Sequence, residues 1–262
     1  MVHIEAKYPT PYHERASLAV VDFFRGQPDI EAVILYGSCA RGKGSPDSCL
    51  DFMVLVRPEV LSARRPALES EWNTYYEHEK VFRDVRTVGK YSHVDLDFVD
   101  GQFNPQPRHW TSGPDEFELE IGNTLVYSLP LLEQSGFFQE LKALWLPYYN
   151  EDLRQERIAV VRRYCVNNLD HIALFVDRGL YFQAFNRLYD AFREFLQLLF
   201  ISNRIYPIAY DKWIKEQVVD ILGLPDLYQE LVNILEIHSF ESPEIASKAE
   251  VLFRLLENLT RG

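Results

Sequence analysis

The stretch IEAVILYGSCARGKGSPDSCLDFMVLV, residues 30–56, constrains the fold more than any other. Two apolar runs of strand length flank a segment rich in Gly, Ser and Pro. Short apolar runs bounded by turn residues read as buried strands. The first run ends on Gly37, and Asp51 enters the second. A glycine directly after a strand lets the backbone approach a ligand without a Cβ in the way. The residues that follow open a short helix, whose free N–H groups suit a phosphate oxygen, and Ser38 adds a hydroxyl. A plain tight turn fits the Gly-Ser pair equally well, so the acids decide.

Side chains two apart on a strand share a face. Asp51 therefore shares its face with Cys49. In HVDLDFVD the alternation places Val94, Leu96 and Phe98 on one face and Asp95 and Asp97 on the other, so a third strand is expected. If these strands are neighbours, the carboxylates converge beside the Gly-Ser turn, a layout suited to a magnesium–nucleotide complex. Asp95 and Asp97 alone would also fit a solvated face. Asp51 fits that reading less well, because it leads into Phe52, Met53, Val54, Leu55 and Val56, and a charge at the mouth of a buried strand needs a reason.

Gly37-Ser38, then Ala40-Arg41-Gly42, then Pro46-Asp47-Ser48 and Asp51 before an apolar strand resemble the nucleotidyltransferase superfamily, the DNA polymerase beta-like fold. The flavour is similar to small antibiotic-modifying adenylyltransferases with a C-terminal helical domain. The resemblance in motifs covers about residues 30 to 100. It implies an α/β (α+β) domain with a mixed sheet and flanking helices, followed by an all-helical domain. It implies Mg²⁺-dependent transfer of a nucleoside monophosphate from a nucleoside triphosphate such as ATP to a small-molecule hydroxyl acceptor. By the same resemblance Gly37, Ser38 and Arg41 match the nucleotide-binding segment. Asp51 matches a metal ligand, and Asp95, preferred for its place nearer the start of the strand, or Asp97 matches the third carboxylate, a metal ligand or general base. Lys212, in the loosely similar segment NRIYPIAYDKW, would reach nucleotide phosphates; a solvated lysine explains it as well. The departure is Cys49, which stands where the family has the first Asp of Asp-x-Asp. Thiolate is soft and Mg²⁺ prefers hard oxygen. Three accounts stay open: Asp47 swings in as substitute, one metal on Asp51 plus Asp95 or Asp97 suffices, or catalysis is lost and a binding or regulatory module acting with a partner remains.

The rest of the chain reads as context. YHERASLAVVDFFRGQ has helical apolar spacing at Leu18, Val21 and Phe24, with a stop at Gly26, and RRPALESEWNTYYEHEK is a polar helix. GQFNPQPRHWTSGPDE, with three prolines and two glycines, is an irregular connection. Beyond about residue 134 only helical patterns follow, which predicts two domains, 1–133 and 134–262, the second a bundle. On LYFQAFNRLYDAFREFLQLLF an aromatic stripe of Phe182, Phe185, Tyr189, Phe192 and Phe195 reads as core. Asn186, Arg187, Asp190 and Glu194, on its other faces, are candidates to line an acceptor pocket. A net charge of −12 disfavours nucleic acid as partner and suits a cationic acceptor, though solubility alone also explains it. Three cysteines, Cys39, Cys49 and Cys165, form neither a disulfide framework nor a zinc spacing, so a cytoplasmic setting is expected. Neither a secretory signal nor a transmembrane run is expected. The seven histidines show no ligand spacing; His93 and His109 flank the acidic strand and its loop, so one could face the cleft, though a surface position is the favoured reading for each. The sequence leaves the oligomeric state and any protein partner open.

Overall fold

The computed structural model describes residues 6–259. The chain divides into two compact units. The first holds the residues up to Asn104 and Glu120–Leu146; the second holds Pro105–Leu119 and the residues from Pro147 on. The expected boundary after residue 133 falls inside the first unit, and the proline-rich connection supplies residues 105–119 to the second.

In the first unit, α1 (Pro11–Phe24) starts where Thr10 accepts hydrogen bonds from the Tyr12 and His13 amides, with Pro11 at the first helical position. The chain leaves it through Gly26, whose φ is +78°. The buried face is Ala16, Val20, Val21 and Phe24, while Leu18 points to solvent. Next come β1 (Ala32–Tyr36), the one-turn α2 (Gly37–Ala40) and β2 (Leu50–Leu55). They are followed by α3 (Pro58–His78), α4 (Lys80–Val85) and β3 (Val94–Val99). The short α5 (Phe117–Ile121), which the division between the units cuts after Leu119, runs into a π-type turn, Gly122–Val126, before β4 (Leu129–Glu133) and α6 (Phe137–Trp145).

The strands form a mixed sheet in the order β3-β2-β1-β4. β2 runs antiparallel to β1 and parallel to β3. Alternation divides the strands cleanly. Val33, Leu35, Phe52, Val54, Val94 and Phe98 join Ala16, Val20 and Phe24 of α1, Leu61, Leu68 and Trp72 of α3, and Phe82 and Val85 of α4 in one core. Phe24 stacks on Trp72 at 5.6 Å. The opposite face carries the polar residues of the same strands.

β4 is an edge strand that the sequence pattern does not announce. Pro130 sits in it opposite Ile34, beside a register shift between Val33 and Ile34. Proline lacks the N–H that an inner strand needs, and an edge tolerates it. Gln134 then ties the end of β4 down: its side-chain nitrogen donates to the carbonyls of Phe24, Gln27 and Ile30, and its oxygen accepts from the Gly26 amide at 2.7 Å.

The second unit is helical: α7 (Glu151–Asp177), α8 (Tyr181–Asn203), a π-type turn at Glu216–Ile221, α9 (Pro225–Leu235) and α10 (Glu244–Leu259). Its core takes Ile172 and Phe175 from α7, Leu188, Phe195 and Leu199 from α8, and Leu252 and Leu256 from α10. The expected aromatic stripe is corrected at its start. Phe182 is 79% exposed and meets the Phe240 ring at 5.0 Å, while Ala184, Leu188 and Ala191 make the closely packed face. Arg187, Asp190 and Glu194 are buried rather than lining an open pocket; Asn186 is exposed.

These residues join a buried ionic network inside the second unit. Arg157 pairs bidentately with Asp115, at 2.6 and 2.9 Å, and with Glu118 at 2.8 Å. Gln197 and Tyr149 complete the bonds to Glu118, at 2.7 and 2.9 Å. Arg108 and Asn168 hold Glu194 at 2.6 and 2.8 Å, and Arg187 reaches Asn168 at 2.6 Å. Buried charges are tolerated when paired and hydrogen-bonded.

Candidate active site

The register of the sheet builds the site. Tyr36 of β1 lies opposite Asp51 of β2, and Asp51 lies beside Asp95 of β3. Tyr36, Asp51 and Asp95 therefore form one row across three strands. Ile34, Met53 and Asp97 form the next row on the same face. The Met53 sulfur in that second row accepts a hydrogen bond from Thr124 at 3.3 Å. The convergence expected of neighbouring strands is thus realised between Asp51 and Asp95, with Asp97 one step further along β3.

Gly37 has φ +71°, and a Cβ built there would lie 2.1 Å from Asp51 Oδ2. The glycine is required twice over, by its left-handed backbone and by the carboxylate lying against it. Arg41 is buried and donates to the Gly37 carbonyl at 3.1 Å, so it braces the turn from inside. Ser38 is partly exposed. Lys212 lies in the second unit, exposed, in the loop that follows α8.

Cys49 donates its S–H to Asp51 Oδ1 at 2.9 Å. His93 Nε2 lies 3.0 Å from Asp95 Oδ1, so of the two histidines that flank the acidic strand and its loop this one stands beside the site, and not merely at the surface. Asp47 is engaged elsewhere, since its Oδ1 accepts from the Lys90 amide at 2.9 Å. The Ser92 hydroxyl donates to the Pro46 carbonyl. These bonds clip the turn before β2 to the turn before β3, and so align Asp51 with Asp95.

The field on this face is negative. Burial, then the hydrogen bond to Asp51 and the charges of Asp51 and Asp95, push the Cys49 thiol up to about 12. Burial, then Asp51, Asp97, Asp95 and Cys49, raise the Tyr36 phenol well above its ordinary value. The acidic face thus disfavours ionisation of both groups. One donor atom from each of Cys49, Asp51 and Asp95 lies within 4.8 Å of the others. Two hard carboxylates at this spacing fit a divalent cation of the magnesium type, which takes one or two protein carboxylates and completes its shell with water and phosphate. A protonated thiol adds no hard ligand.

Three comparisons set the chain beside known proteins. Residues 19–102 match the Polymerase beta, Nucleotidyltransferase family. No curated protein matches the chain. A nucleotidyltransferase-like protein from Exiguobacterium sibiricum 255-15 is similar in structure, at 14% identity and a TM-score of 0.48, over 94% of this chain and 74% of that one. The family match spans β1, the Gly37-Ser38 turn, β2 and β3 with Asp51 and Asp95, so residues 19–102 match a nucleotidyltransferase domain of the polymerase beta type.

Proposed function

We propose that the protein transfers a nucleoside monophosphate from a nucleoside triphosphate to a hydroxyl of a small molecule, with Mg²⁺ held by Asp51 and Asp95. The observation that carries this reading is the in-register pairing of Asp51 with Asp95 beside a glycine whose Cα faces the Asp51 carboxylate. In this reading the Gly37-Ser38 turn receives the phosphates through its backbone N–H groups and the Ser38 hydroxyl. Arg41 acts through the Gly37 carbonyl and keeps the turn in shape. Bound Mg²⁺ supplies charge neutralisation on the triphosphate as pyrophosphate leaves. In this reading Asp97, exposed in the next row of the same face, accepts the acceptor's proton. The acidic face suits a cationic acceptor.

The test is turnover with labelled ATP, CTP, GTP and UTP against a panel of hydroxylated acceptors, with and without Mg²⁺. Transfer that requires Mg²⁺ and disappears in Asp51→Asn supports the reading. No transfer with any pair, together with no triphosphate binding by calorimetry, sinks it. A second reading is favoured by one observation, the Cys49 S–H that donates to Asp51 where the resemblance would place a carboxylate. It is a domain that binds nucleotide without transferring it and acts with a partner. Triphosphate binding abolished by Asp51→Asn, without turnover across the panel, selects that reading.

A further inference from the structure

Cys49 holds the position of a family carboxylate but behaves as a donor. Its S–H meets Asp51 Oδ1 at 2.9 Å, while the other oxygen, Oδ2, lies against Gly37. Across the strand pair His93 does the corresponding thing, with Nε2 at 3.0 Å from Asp95 Oδ1. Each of the two paired carboxylates thus has its Oδ1 engaged by a side chain that lies outside the strand spans. Carboxylates that ligate metals are commonly oriented by such outer hydrogen bonds. The thiol is itself fixed from behind, because the Cys49 carbonyl accepts from the buried Cys39 Sγ at 3.6 Å.

We propose that Cys49 is a positioning residue: its thiol orients Asp51 so that the cation is held through two carboxylates, Asp51 and Asp95, without a ligand from residue 49. The hydrogen bond from this side chain restricts rotation of the Asp51 carboxylate. A carboxylate at 49 would instead be a further ligand able to support a second cation. The inference rests on the reading above that Asp51 and Asp95 bind a divalent cation.

Titration with Mn²⁺ alone, followed by loss of the free-ion magnetic resonance signal, tests it without any need for turnover. Wild type, Cys49→Ser, Cys49→Ala and Asp51→Asn are compared, with melting curves to establish that each is folded. Serine keeps a donor, so Cys49→Ser is expected within about threefold of wild type, and Cys49→Ala about 10- to 100-fold weaker. The Co²⁺ complex of the wild type is expected to lack a thiolate charge-transfer band in the near ultraviolet. Equal Mn²⁺ affinity in wild type and Cys49→Ala would overturn the inference and leave the cation site standing. A thiolate–cobalt band lost in Cys49→Ser would overturn it by making the sulfur a ligand. If the wild type shows no Mn²⁺ binding that Asp51→Asn removes, the cation reading itself falls and the role of Cys49 falls with it.

Discussion

Gly37→Ala separates the backbone demand of the turn from its demand on Asp51. Alanine at φ +71° costs roughly 1–2 kcal/mol, because the left-handed region brings Cβ toward the following carbonyl. Gly26→Ala carries nearly the same backbone cost at φ +78°, with nothing within 4 Å of its new methyl. The two variants should therefore melt alike to first order. They differ at the carboxylate. The alanine Cβ at 37 would lie 2.1 Å from Asp51 Oδ2, and side-chain contacts under 3.0 Å essentially never occur, so Asp51 must retreat by at least 0.9 Å. A displacement of about 1 Å in a reacting constellation can cost on the order of 100-fold. Mn²⁺ titration and triphosphate turnover are the assays. Gly37→Ala is expected to lose about 10- to 100-fold in both, and Gly26→Ala to keep both. If Gly37→Ala binds and turns over like Gly26→Ala, the close approach of turn and carboxylate is not what shapes the site.

Other variants test the surroundings. Asp47→Asn keeps an acceptor for the Lys90 amide and should leave Mn²⁺ affinity within about twofold of wild type on the same titration, since residue 47 serves the turn and not the cation. Arg157→Ala strands Asp115 and Glu118 in the second unit's interior and should cost about 3–5 kcal/mol in urea unfolding. Burial outweighs the Asn168 and Arg108 donors and raises Glu194 from 4.5 to about 7. Its folded carboxyl then holds the proton more tightly than the unfolded chain does. The stability it carries is fully present below about pH 4.5 and is lost as pH rises through about 7. That change is on the order of 3 kcal/mol. Melting curves of wild type and Glu194→Gln should diverge across this window, the variant being the more stable at pH 8.

Much of the first unit was legible in the sequence, for a physical reason. A buried strand advertises itself by apolar residues, and β1, β2 and β3 lie in the runs that show them. The alternation of Asp95 and Asp97 with Val94, Leu96 and Phe98 is the two-faced strand itself, with core on one side and site on the other. β4 was hidden because Pro130 speaks against a strand, and only its edge position makes proline acceptable there. The recruitment of residues 105–119 into the helical unit was hidden for a related reason. Its prolines and glycines mark a loop, while the tie is made by isolated charges, Arg108, Asp115 and Glu118, whose partners stand far along the chain. Choosing between Asp95 and Asp97 as the neighbour of Asp51 required the strand register, which parallel pairing sets and spacing within one strand does not. Likewise the roles of Cys49, His93 and Asp47 are hydrogen bonds of particular atoms, beyond the reach of residue type and interval.

The same crowding of acids predicts a trade between stability and binding. Asp51 and Asp95 sit side by side, and their charges help keep Tyr36 and Cys49 neutral. Like charges held close raise the free energy of the folded state until a cation offsets them. A cation that binds only the folded chain adds about 2.7 kcal/mol at 100 times its dissociation constant. Melting should therefore move upward with Mn²⁺ in the wild type. Asp51→Asn removes one charge yet keeps an oxygen for the Cys49 S–H, so without metal it should melt at or above the wild type, with the Mn²⁺ shift abolished. Stability gained and ligand response lost in one substitution is the signature of a site whose charges serve binding at the expense of the fold. A metal-free Asp51→Asn that melts well below wild type and still rises with Mn²⁺ would mean that Asp51 is there to hold the sheet together, and that the cation sits elsewhere.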